Sequence, residues 1–232
     1  MARRIIPSCS FYFIGAGGGQ AFDGGVIKDM FRFFKRKNKC SMPPQVRISI
    51  EEQLANLGRV GITLKENVEI RDIIDFEIGD YEECPYIHLL MSMGREREGV
   101  GDEYPSNDVW CFDRECIEDH GDYAYGLKRI ADMLVPFISV TDIQDYVDIE
   151  ASEVWIAFKA NGKDYCYSLS VQDDWMSLEV FVIFSELLAE SGSSLRFFFT
   201  DTGNEILVVL MDRNHFRQLN GLINIFLPFT RA

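Results

Sequence analysis

Two residues, Asn161-Gly162, constrain what this chain can fold into more than any other pair. Asn-Gly takes up the left-handed backbone of a two-residue hairpin turn with little strain. The flanking runs suit strands: Val154 to Ala160 before the turn, Lys163 to Val171 after it. In the second run Tyr165, Tyr167, Leu169 and Val171 alternate with less apolar positions, as in a sheet with one buried face. The spacing of Leu178, Phe181, Val182, Ser185 and Leu188 then predicts a helix, capped by Ser177 and ending at Gly192. A second hairpin follows, Leu195 to Thr200 and Glu205 to Met211, around Asp201-Thr202-Gly203-Asn204. Its strands are almost wholly apolar, which predicts burial on both faces. Asn214 to Leu222 reads as a last helix or turn, and Ile223 to Leu227 as an edge strand. The order hairpin, helix, hairpin, helix predicts an antiparallel sheet built from two hairpins, with helices on one face. The two units repeat in order, although not in sequence.

Helical spacing governs the chain before the first hairpin. Ile50, Leu54 and Leu57 share a face over Ile48 to Leu57, with Ser49 as cap and Gly58 and Gly61 closing the helix. A second helix is predicted from Glu69 to Phe76, with Ile70, Ile73 and Ile74 inward. A third is predicted from Tyr81 to Met93, ending at Gly94. The polar stretch Gly94 to Asn107 reads as an exposed loop and Val109 to Phe112 as a short strand. Tyr123, Leu127, Ile130 and Leu134 mark a further helix, stopped by Pro136. The fold class is therefore α+β: N-terminal helices, then the antiparallel sheet.

Charge divides the chain in two. Residues 1–47 hold nine Lys/Arg against two Asp/Glu, a balance of +7; residues 48–232 hold fourteen against thirty-five, a balance of −21. Glu66 to Asp122 alone has eighteen Asp/Glu against four Arg. The domain reading is a disordered basic tail over 1–47, joined through Met42-Pro43-Pro44 to an acidic α+β domain over 48–232. Residues 1–29 read either as a weak export signal or as a leader ahead of a start at Met30, where Met-Phe-Arg-Phe-Phe-Lys-Arg-Lys resembles a bacterial N-terminus. The run Arg32, Lys35, Arg36, Lys37, Lys39 is a solvated tail or, alternatively, a nucleic-acid or lipid-contacting arm. The acidic domain argues against binding duplex DNA or anionic membrane, because both need a basic surface. A basic protein is the complementary partner. Six scattered cysteines, at 9, 40, 84, 111, 116 and 166, read as reduced thiols of a cytoplasmic protein.

Few residues carry a chemical motif. Cys111, Cys116 and His120 space as Cys-x4-Cys-x3-His, which lacks a fourth zinc ligand and the usual tighter cysteine pair, so ordinary thiols are expected. Glu118-Asp119-His120-Gly121-Asp122 gathers three carboxylates and an imidazole. It reads as a helix start capped by Asp122, or as an acid/base or hard-metal site. Asp173-Asp174-Trp175 reads as a carboxylate pair beside an exposed indole that would suit a basic partner, or as a helix first turn with Trp175 as staple. Gly15 to Gly19 meets neither the P-loop nor the dinucleotide pattern.

Leu57-Gly58 to Asn67, Asn107 through Tyr123, Asp145 to Glu150 and Asp173-Asp174-Trp175 together resemble an uncharacterised family of small acidic bacterial proteins, over about residues 50–220. Acidic α+β proteins of this type look like immunity proteins of bacterial toxin systems. The expected function is therefore non-catalytic: an immunity protein or inhibitor that occludes a basic effector or toxin. The expected contacts are Glu118, Asp119, Asp122, Asp173, Asp174 and Trp175, with no catalytic residue, cofactor or metal. The alternatives are a metal-assisted hydrolase using carboxylates and His120, or an acidic adaptor subunit. Oligomeric state is left open.

Overall fold

The Asn161-Gly162 turn forms as expected, with φ of 50° and 79° at the two residues. A computed structural model describes residues 47–97, 103–135, 137–203 and 205–229. The expectations for the basic tail, its proline linker and Pro136 lie outside the described residues. Between 47 and 113 the elements are α1 (Ile50–Arg59), a 3-10 turn (Ile70–Asp72), α2 (Ile78–Glu83), α3 (Ile87–Gly94) and β1 (Val109–Asp113). Next come α4 (Asp122–Leu134), β2 (Val140–Asp148), β3 (Glu153–Ala160), β4 (Lys163–Ser168) and α5 (Glu179–Glu190). The chain ends with β5 (Arg196–Asp201), β6 (Glu205–Met211), α6 (Arg213–Leu222) and β7 (Leu227–Pro228). The class is α+β, with wholly antiparallel pairing. Among the described residues no helix is long and apolar enough to cross a membrane.

The chain divides into two units, residues 114–193 and the combination of 47–113 with 194–229. The two hairpins belong to different sheets: β3–β4 to the order β2-β3-β4, β5–β6 to the order β1-β6-β5-β7. The expected single sheet is corrected here. Each hairpin is fixed by its own turn, whereas its sheet is chosen by the third strand that pairs with it.

In the 114–193 unit, β3 buries Val154, Ile156, Phe158 and Ala160 and leaves Trp155, Ala157 and Lys159 half-exposed. Helix α5 packs Phe184 on Phe158, with ring centroids 4.9 Å apart. Its buried positions are Val180, Phe181, Ile183, Phe184, Leu187 and Leu188, a face rotated from the expected one. Ser177 makes no cap; its backbone N–H donates to the buried Tyr123 hydroxyl at 2.9 Å. Burial pushes that phenol up to about 12.

In the other unit, Ser49 caps α1 by accepting from the Glu52 N–H at 3.3 Å. Only the 3-10 turn forms within Glu69 to Phe76, and Ile73 is the one isoleucine of the three that is fully buried. The expected helix Tyr81 to Met93 is broken. Pro85 offers no N–H and clashes with the preceding turn, and Tyr86 has φ 73°. Gln53, fully buried, holds the break: it donates to Ile48 O and Tyr81 O, each at 2.8 Å, and accepts from Tyr86 N at 2.7 Å. The stretch expected as an exposed loop buries Tyr104 and Ser106. Helix α3, with Leu89, Leu90 and Met93 buried, lies on β1. β6 is buried from Ile206 to Met211, as its unbroken apolar run requires.

Candidate binding surface

All six candidate contacts fall within the 114–193 unit, on two segments joined by backbone pairing. Ile117 N donates to Asp174 O and Met176 N to Arg114 O, both at 2.9 Å. Glu115 and Trp175 form an isolated bridge in the same ladder. Segments more than fifty residues apart thus run antiparallel, bringing the two acidic clusters of the sequence side by side.

Residues Gln172 to Trp175 form a tight turn, closed by Trp175 N donating to Gln172 O at 3.1 Å. Asp173 sits there at φ 55°, a left-handed conformation that Asp tolerates better than most residues. Asp173 is exposed; Asp174 and Trp175 are half-buried. The indole is not a bare hot spot. The Arg114 guanidinium lies 4.5 Å from its centroid, and Arg114 Nη2 donates to Gln172 Oε1 at 3.3 Å. Nor does Trp175 belong to a helix first turn, since α5 begins at Glu179.

Glu118 and Asp119 are exposed. Asp122 is the first residue of α4 rather than its cap, and its Oδ2 accepts from Glu118 N at 2.8 Å and Asp119 N at 2.9 Å. It therefore shapes the acidic loop. The cap position is Gly121, at φ 104°. Its N–H donates to both carboxylate oxygens of Asp145 at 2.9 Å, and Ala124 N donates to Asp145 Oδ2 at 3.1 Å. Asp145, on β2, thus caps α4 from outside the helix. Nothing local in the sequence marks that role, because donor and acceptor are over twenty residues apart.

His120 Nδ1 lies 3.0 Å from Asp119 Oδ1, with the two side chains 42% and 86% exposed. The imidazole packs on Tyr146 at 4.8 Å, and Tyr146 stacks on Trp155 at 5.9 Å and 8° between planes. The sequence reading assigned neither ring a role.

Cys111 lies on β1, in the other unit from Cys116 and His120. Burial, with Glu205 Oε1 3.7 Å from its sulfur, pushes the Cys111 thiol up to about 12. Among the described residues no group of three or more His, Cys, Asp or Glu is placed to hold a metal ion; Cys111 and Cys166 are buried, and Cys84 and Cys116 half-buried. His215 sits with Nδ1 2.8 Å from Oδ2 of Asp212, the N-cap of α6. The backbone N–H of His215 lowers the Asp212 carboxyl below its ordinary range.

A second polar cluster, absent from the sequence reading, lies in the unit that contains β1. The Tyr81 hydroxyl, Ser92 Oγ and Asp75 Oδ1 lie 2.6 to 3.0 Å apart. Arg95 joins Asp75 at 3.4 Å to Glu205, which it holds through two nitrogens at 2.7 and 3.1 Å. Every member has a partner, which marks a network that fixes the loop, helix α3 and the β5–β6 hairpin.

Comparison with known protein families, with curated proteins and with solved structures gives no match to this chain.

Proposed function

We propose that this chain is a non-catalytic binding protein of the immunity type, cytoplasmic and bacterial, that covers the phosphate-binding site of a basic effector such as a nuclease toxin. The observation that supports this best is the pairing of 114–117 with 174–176, which presents Glu118, Asp119, Asp173 and Asp174 along one rim. The unit bearing that rim holds sixteen Asp/Glu against five Lys/Arg over residues 114–193, a balance of −11. Carboxylates on such a rim stand in for the phosphates that a cationic cleft receives. The surrounding field speeds the encounter.

The test is association kinetics with the effector encoded in the neighbouring reading frame. Asp173→Asn keeps a residue that tolerates positive φ, and Asp174→Lys reverses a charge. Together they slow association by about tenfold or more and flatten its dependence on salt. An unchanged association rate removes the rim from the interface.

A further inference from the structure

We propose that the outward face of β2–β3 receives an arginine side chain of the basic partner, with Tyr146 and Trp155 as the shelf and Asp148 and Glu153 as its counter-charge. This rests on the binding reading above and names the chemistry that the surface selects.

The register places the parts. Tyr146 pairs directly with Trp155, and Asp148 with Glu153, two residues further along both strands. Directly paired residues two apart share one face. On the opposite face Val147 and Val154 pair and are buried. The outward face thus carries an aromatic pair next to a carboxylate pair. Like charges directly opposite each other destabilise a sheet, and a bound cation relieves that repulsion. Asp148 is partly engaged, since its Oδ1 accepts from Ala151 N at 2.8 Å; Glu153 is exposed.

The two half-exposed rings stack within 8° of parallel, and a planar guanidinium adds to such a stack face-on. An ammonium is more strongly hydrated and gains less on such a shelf. His120 stands against Tyr146 and carries Asp119 beside it, so a further carboxylate borders the shelf. The same unit already shows the device. Arg114 lies over Trp175 while donating to an oxygen, that of Gln172. Trp175 is thereby taken by the chain's own arginine, whereas the Tyr146–Trp155 pair is half-exposed.

The experiment titrates the full chain with a nine-residue arginine peptide and a nine-residue lysine peptide, following the three tryptophan indole N–H resonances. The expected result is a saturable shift of the Trp155 signal and binding of the arginine peptide about three- to tenfold tighter than the lysine peptide. Tyr146→Leu and Trp155→Leu each erase that preference while leaving weaker, salt-sensitive binding of both peptides. Asp148→Asn with Glu153→Gln weakens both. Trp155→Phe keeps a ring and an unaltered melting temperature and retains part of the preference, which separates the shelf from a fold defect. Salt-sensitive binding of both peptides without a Trp155 response overturns the shelf and leaves the acidic-rim reading standing. Failure of both peptides to bind at low salt overturns both readings.

Discussion

Asp145 shows how a single carboxylate organises a surface it does not belong to. It satisfies two of the amide groups that the start of α4 leaves without helical partners. Asp122 then gathers the Glu118 and Asp119 amides, so the exposed acidic loop has a defined shape. Cys111 is the opposite case, a chemically capable group held inert. Its ordinary value is 9, and burial together with Glu205 raises it to about 12. A raised thiol stays protonated until pH nears that value, so its nucleophilic form is scarce at neutral pH. Iodoacetamide at pH 8 should therefore label Cys84 and Cys116, which are half-buried, well before Cys111; peptide mass spectrometry of the native protein reads the order. Early labelling of Cys111 would contradict its burial. At this scale the sequence is legible where cause and effect are neighbours. Ser49 lies three residues from the amide it caps, and Asn161-Gly162 contains its own turn. It is opaque where the partner is remote. Ser177 looks like a cap but is claimed by Tyr123, and Asp145 does not look like one yet is.

Among the elements, α3 and β1 meet where the helix has no side chain. A Cβ placed on Gly94 would lie 2.8 Å from Cys111 N and 3.0 Å from the Trp110 carbonyl carbon, both backbone atoms that cannot step aside. Gly94→Ala should therefore destabilise the fold by about 1–3 kcal/mol, read as a lower urea midpoint with an unchanged slope. A neutral result would mean that α3 is free to retreat from the strand. Helices and hairpins were readable here because apolar spacing and turn residues are local signals. Strand β2 escaped the sequence reading for a physical reason. Its register shifts between Thr141 and Gln144, Asp142 takes φ 55°, and most of its residues are exposed or half-exposed. A bulged, polar strand at a sheet edge is protected from stray pairing, and the same features hide its period of two. The broken helix at Tyr86 is different: its cause, Pro85, stands in the sequence within the apolar spacing that predicts one helix.

For the molecule as a whole, the two units carry similar charge. Residues 114–193 balance at −11, and 47–113 with 194–229 at −10, nineteen Asp/Glu against nine Lys/Arg. The acidic centre of the sequence, Glu66 to Asp122, is therefore divided between them, and only its last part reaches the rim. Of the candidate surface, the sequence supplied the exposed carboxylates. It could not supply their pairing, which spans more than fifty residues, or the Tyr146–Trp155 stack, which depends on the unseen β2. Because 114–193 is one continuous segment with its own buried aromatic core, it should fold when expressed alone, with a cooperative urea transition and stability of roughly 4–12 kcal/mol. A non-cooperative, urea-insensitive signal would show that the segment depends on the rest of the chain. Its insertion point has a further effect. β1 and β5 both run antiparallel to β6, so they are parallel to each other, and the segment is the crossover between them. Asp113 leaves opposite Glu205, whereas Arg196 enters opposite Met211, so the crossover must span about 20 Å along β6. During synthesis β1 emerges some ninety residues before the strand that pairs with it. At about 5–20 residues per second, Val109-Trp110-Cys111 waits on the order of 5–20 s as an apolar strand without a sheet. The ribosome therefore delivers the 114–193 unit complete while the surrounding unit is still open, and the order of birth makes the inserted part the first to fold.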